Sequence, residues 1–232
     1  AVSTIAKGDP AKRYVGERKG DPAAEQGPRN VATEWTVEAR SGGRCVVRVV
    51  HRWFADTDDW DGQFEGHAYG WATSFFRMLL MYLMHYPGEK CSAFQVSAMS
   101  RASGPQTWRT IRSALNISGT AQQFTSTPGT PKLAGAVEKM QVTDPELLRV
   151  RETSPQIVAA LQGMEGEEPE LLLRLDQPAP GFAHLFVVPM GDQTMLSMRF
   201  HFFGESGAAA SADAEREWGR WLAERFPPEV SE

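Results

Sequence analysis

Residues 71–86 constrain this chain more than any other stretch, because they are apolar at almost every position and repeat at helical spacing. Phe64, Trp71, Phe75, Met78, Tyr82 and Tyr86 make one stripe of a helix, and Phe76, Leu80 and Met84 make a second. A helix apolar on most of its circumference has to be covered on more than one side, so a single sheet cannot be its only partner. The second stripe is therefore expected to meet another domain or a second copy of the chain as a homodimer. Arg77 and His85 interrupt the run, and it falls short of the roughly 20 residues that a membrane span needs. The helix is predicted over 59–86. Asp56, Asp58, Asp59 and Asp61 suit an N-terminus whose backbone N–H groups seek acceptors, and Pro87-Gly88 ends it.

Strand spacing surrounds this helix. In 32–39, Trp35, Val37 and Ala39 alternate with Glu34, Thr36 and Glu38. In 45–53, Cys45, Val47, Val49, His51 and Trp53 alternate with Arg48 and Arg52. Ser41-Gly42-Gly43 between them predicts a hairpin whose apolar face turns toward the helix. Ahead of it, the first 30 residues carry Lys-Gly-Asp-Pro twice and read as loop with one edge strand. Beyond it come a strand at 93–99, a short helix at 106–115 and a Ser/Thr/Gly/Pro loop at 118–131. Strands are predicted at 136–142, 147–153, 171–175, 182–188 and 195–203, the last two joined through Gly191-Asp192-Gln193. Residues 204–212 read as a loose loop. A helix at 213–226 turns Trp218, Trp221, Leu222 and Phe226 inward, and Pro227-Pro228 stops it.

The order of hairpin, Gly turn, strand, loop and aromatic helix occurs twice, with turns at Gly42-Gly43 and Gly191-Asp192. The chain is 232 residues long, room for one large domain or two small ones. Two tandem copies are expected, 1–89 and 90–232, the first lacking its N-terminal strand and short helices.

Several chemistries find no support. A net charge of -5 without a Lys/Arg block leaves no footprint for nucleic acid or an anionic membrane. Cys45 and Cys91 form no CxxC pair, so neither a disulfide framework nor a zinc site is read, and a reducing cytoplasm is expected. Residues 1–5 are followed by Lys7, Asp9, Lys12 and Arg13, which does not read as a signal peptide. His51, His67, His85, His184 and His201 lack HxH or HxxxH spacing, and the acidic run fails the register of a calcium loop at Trp60, Gly62 and His67. No metal or cofactor is expected. No Ser, Cys or carboxylate is sequence-linked to His51 or His201, so no catalytic pair is assigned.

The segment FADTDDWDGQFEGHAYGWATSFFRMLLMYLMHYPG resembles the C-terminal helix region of the START/SRPBCC superfamily, in particular its bacterial homologues of the heat-shock chaperone ATPase activator. VATEWTVEARSGGRCVVRVVHRWF is similar to their last strand pair, and VSTIAKGDPAKRYVGER to an earlier strand with its Pro turn, so that the likeness covers 2–88. The resemblance implies an α+β helix-grip fold, a curved antiparallel sheet around a long C-terminal helix with an apolar cavity between them. It implies that Trp35, Val37, Val47, Val49, His51, Trp71, Phe75, Met78 and Tyr82 line that cavity, with Phe200, His201, Trp218 and Trp221 in the second copy. The expected function is noncatalytic binding of a hydrophobic small molecule or lipid. A chaperone-regulating or other protein-interaction module and a polyketide cyclase or aromatase-like enzyme are the alternatives.

Overall fold

A computed structural model describes residues 14–15, 30–42, 44–54, 74–118, 123–138, 148–149, 152–153, 157–158, 161–163 and 170–227. The acidic run, Phe64, His67 and Trp71 lie outside the described residues, as do the side chains of His51 and Trp53. The chain divides into two units, Ala1–Phe64 and Glu65–Glu232.

The first unit holds a three-stranded antiparallel sheet in the order β1 (Tyr14–Val15), β2 (Asn30–Arg40), β3 (Arg44–Phe54). Its hairpin has the expected turn: Arg40 pairs with Arg44, and Gly42 takes φ +74, the left-handed region that glycine enters without a Cβ clash. Trp35 faces Val49 and Val37 faces Val47, so these four share a face as the alternation predicted. That face is not enclosed. Trp35 is 41% exposed and Val37 59% exposed, so neither lines a closed cavity.

The second unit is α+β, a curved six-stranded antiparallel sheet with a C-terminal helix. In chain order its elements are α1 (Phe76–His85), β4 (Cys91–Ser100), α2 (Gly104–Ala114), β5 (Gln123–Thr125), β6 (Ala134–Glu138), β7 (Glu170–Gln177), β8 (Gly181–Met190), β9 (Gln193–Phe203) and α3 (Gly204–Arg225). The sheet order is β4-β9-β8-β7-β6-β5. Ser103 caps α2, its Oγ accepting from the backbone N–H of Gln106, and Pro105 stands where a missing N–H costs nothing.

Three expectations change here. Residues 204–212 are the first turns of α3, because Ala208, Ala209 and Ala210 favour helix more than the flanking Gly and Ser suggest. The loop at 118–131 contains the edge strand β5. The strand expected at 147–153 is helical at its described residues, 148–149 and 152–153.

Strand alternation sorts the sheet into two faces. Leu173, Leu175, Leu185, Leu196, Met198, Phe200 and Phe202 join Trp108 and Ile111 of α2 and Trp218 and Leu222 of α3 in the main core. The other face receives α1. Met81 packs with Leu172, Phe182 and Phe203, flanked by Met78, Tyr82 and Tyr86. The inner stripe of the apolar helix is thus the one with Met78, Tyr82 and Tyr86, which packs on the six-stranded sheet. Two hydrogen bonds pin α1, Ser74 Oγ donating to Glu170 Oε2 at 2.8 Å and Tyr86 Oη donating to the Gly181 carbonyl at 2.8 Å. The spans agree: a helix rising about 1.5 Å per residue covers about 18 Å from Ser74 to Tyr86, and a strand at about 3.3 Å per residue needs about 17 Å from Phe186, the partner of Glu170, back to Gly181. On the outer side of α1, Phe76 is half-buried while Leu80 is 55% and Met84 64% exposed, so the described residues leave most of the second stripe open.

Candidate functional site

The face beneath α1 carries a polar lattice that the hydrophobic pattern does not announce. Cross-strand pairing sets Leu172 beside His184, His184 beside Arg199, Arg199 beside Gln95, and Phe182 beside His201. Glu170 stands diagonal to His184 across the β7-β8 pair, within reach of a long side chain. Polar groups on a sheet face normally meet water. Here His184 is 3% exposed and Ser197 has no exposed surface.

Glu170 organises the cluster. His184 Nε2 lies 2.9 Å from Glu170 Oε2, the same oxygen that accepts from Ser74. Burial pushes the Glu170 carboxyl up, but the hydrogen bond and charge of His184, the Ser74 hydroxyl and the nearby Arg77 outweigh it and hold the group below the usual carboxylate value. An ionised Glu170 only accepts, so His184 donates to it through Nε2–H, which leaves Nδ1 as the second nitrogen of the ring. That Nδ1 is buried without a hydrogen-bond partner among the described residues, and so is the Nδ1 of His201. His201 stacks on Phe182 with ring centroids 4.6 Å apart. Burial, with the charges of His184 and Arg199, lowers its pKa to about 4, so the ring is neutral near pH 7. The Arg199 guanidinium lies 4.8 Å from the Phe186 ring centroid, and its Nε donates to Gln95 Oε1 at 3.0 Å. Among the described residues, no three His, Cys, Asp or Glu groups are arranged to hold a metal ion. Among the same residues, no helix is long and apolar enough to cross a membrane.

The expected cavity residues part company in this arrangement. Phe200 and His201 are neighbours on one strand and point to opposite faces, so they cannot line one pocket. Phe200 and Trp218 have no accessible surface, with ring centroids 5.9 Å apart, and so border no water-sized void. Trp221 is also buried, beside an open cleft of about 460 Å³ that Arg109, Arg225, Thr127 and Thr130 help to line. Met78 and Tyr82 pack on the α1 side of the sheet, the side that His201 faces, and Phe75 is half-buried at the start of α1. Sequence reasoning missed Glu170, Ser74 and Arg199 and passed over His184. The readable signal was the alternation Glu170, Leu172, Arg174 against Phe182, His184, Phe186.

No family model matches the chain, and no curated protein matches it. Two solved structures have weak likeness to it. A solution NMR structure from Thermobifida fusca is 14% identical and covers 58% of this chain and 92% of that one, with a TM-score of 0.35. The crystal structure of DynU16, from the dynemicin biosynthetic locus, is 13% identical and covers 84% of this chain and 69% of that one, with a TM-score of 0.32. At such scores neither neighbour bears on what this chain does.

Proposed function

We propose that this protein binds an apolar, ring-bearing small molecule on the face of the six-stranded sheet that α1 crosses. The observation that carries the reading is the pair of buried imidazole nitrogens, His184 Nδ1 and His201 Nδ1, without a partner among the described residues, on a face that also carries the rings of Phe182, Phe186 and Phe203 beside Tyr86. A buried polar atom left without a partner costs about 1–3 kcal/mol. A ligand offering a donor to such an atom, and a flat apolar body to the rings, removes that cost. The START/SRPBCC resemblance supports a helix-grip protein, with the ligand on the α1 side of the sheet where the C-terminal helix α3 leaves a packed core. In the tandem reading, 1–89 and 90–232, α1 is the closing helix of the first copy laid on the sheet of the second. Native mass spectrometry of the purified protein, with thermal shift against a panel of flat apolar carbonyl compounds and lipids, tests the proposal. A copurified ligand or a rise in the unfolding temperature is expected, since a molecule bound only by the folded state stabilises it. Neither result with any compound overturns it. A protein-partner reading, as a chaperone-regulating module or a homodimer, is favoured separately by the exposed Leu80, Leu83 and Met84 on α1.

A further inference from the structure

We infer that Glu170 and His184 form an oriented general base, whose Nδ1 removes a proton from a carbon adjacent to a carbonyl group in the bound ring compound. The inference rests on the binding reading above and adds chemistry to it. Its first support is geometry. The Nε2–H···Oε2 contact at 2.9 Å fixes the ring orientation and the tautomer, and the Ser74 hydroxyl fixes the carboxylate in turn. A carboxylate behind an imidazole stabilises the imidazolium as the proton arrives. Ser74 donates to Glu170 and not to His184, so it is a positioning residue and the arrangement is not that of a serine nucleophile.

The second support is the cation across the strand pair. Arg199 is the direct β9 partner of His184, and Gln95 and the Phe186 ring hold its guanidinium. It places a fixed positive charge where an enolate oxygen would develop. The bookkeeping closes without a further reactant. The C–H bond breaks and its proton joins His184 Nδ1. The electron pair of that bond becomes the C=C bond of the enolate, and the carbonyl π pair moves to oxygen beside Arg199. The imidazolium then returns the proton to carbon, for exchange or double-bond isomerisation with no net redox change.

Among the described residues, Glu170 from β7 and Arg199 and His201 from β9 stand next to His184, and Ser74 and Arg77 from the α1 end act on Glu170.

The test is hydrogen–deuterium exchange at the acidic carbon of 2-tetralone in deuterated buffer, followed by proton NMR with the full chain, with saturation-transfer NMR reporting binding of the same probe. Exchange above that given by an equal concentration of free imidazole is expected. His184→Asn should lower it by about 100-fold, the low end of the usual range for a positioned acid–base group, and Glu170→Gln, which only orients that group, by about 10-fold. Ser74→Ala should shift the pH profile more than the affinity. Binding with exchange no faster than free imidazole overturns the base and leaves the binding reading standing. No binding of the probe overturns both. For the case in which a variant does not fold, ¹⁵N-histidine NMR of the unaltered protein decides: a protonated Nδ1 with a bare Nε2 on His184 at pH 7.5 overturns the assignment.

Discussion

His201 and Glu170 tie this site to stability through protons. The unfolded His201 takes up a proton near pH 6.5, whereas the folded ring, desolvated and near the charges of His184 and Arg199, does so only at about 4. Between those values the unfolded state binds more protons, so stability is full above pH 6.5 and is lost as pH falls toward 4. At about 1.4 kcal/mol per pKa unit, that loss is about 3 kcal/mol. Glu170, held below its ordinary value, adds a loss of the same sign below about pH 4.5. Urea unfolding at pH 7 and pH 4.5 measures it. His201→Phe should flatten the slope between the two, and a variant as acid-sensitive as the unaltered chain would refute the assignment. His201 was legible in the sequence as a polar residue in an alternating strand. Its companions were not, because the Glu170–His184 contact is diagonal and exists only in the register that the 178–180 connection sets. The run Glu-Leu-Leu-Leu-Arg-Leu of β7 sets Glu170, Leu172 and Arg174 on one face and Leu171, Leu173 and Leu175 on the other, which shows the polar side but neither the partner strand nor the register.

Among the elements, the two aromatic helices separate core from surface by a simple criterion. Trp218 of α3 has no exposed surface and meets Phe200 and Trp221, so Trp218→Ala should cost about 3–5 kcal/mol of unfolding free energy. Leu80 of α1 is exposed, so Leu80→Glu should change stability by no more than about 0.5 kcal/mol. Met81, one residue on, is buried, and Met81→Glu should destabilise sharply for want of any partner for the charge. Chemical denaturation of the three variants checks the ordering. A large loss in Leu80→Glu would mean that the outer stripe is covered in solution, as the homodimer expectation requires. Strands, hairpin turns and the inward Trp face of α3 were readable because period and turn chemistry are local. The partner of α1 was not, since a helix apolar on two stripes specifies burial without saying which sheet supplies it.

At the scale of the molecule, both hydrophobic clusters lie wholly within the second unit. The main core runs from Phe94 to Phe226, and the smaller one joins Met81 to Leu172, Phe182 and Phe203. Among the described residues, the first unit contributes to neither cluster and exposes Trp35, Val37 and Val46. A three-stranded sheet without a packed face gains little to offset the ordering of its backbone, which costs about 1–2 kcal/mol per residue. A fragment spanning 65–232 should therefore fold alone, with one cooperative thermal transition within a few degrees of the full chain's, and it should keep the Glu170–His184 site. A fragment spanning 1–64 should show the circular dichroism and narrow amide dispersion of an unfolded peptide. The sequence pattern pointed elsewhere, to a division after the helix at residue 89, because periodicity attaches a helix to the strands it follows in the chain. Packing attaches it to the surface it covers, and Met81, Tyr82 and Tyr86 lie against Phe182 and Phe203. If 65–232 aggregates or melts without cooperativity while 1–89 folds, the helix belongs energetically with the hairpin, and the division at 64 and 65 fails as a folding boundary.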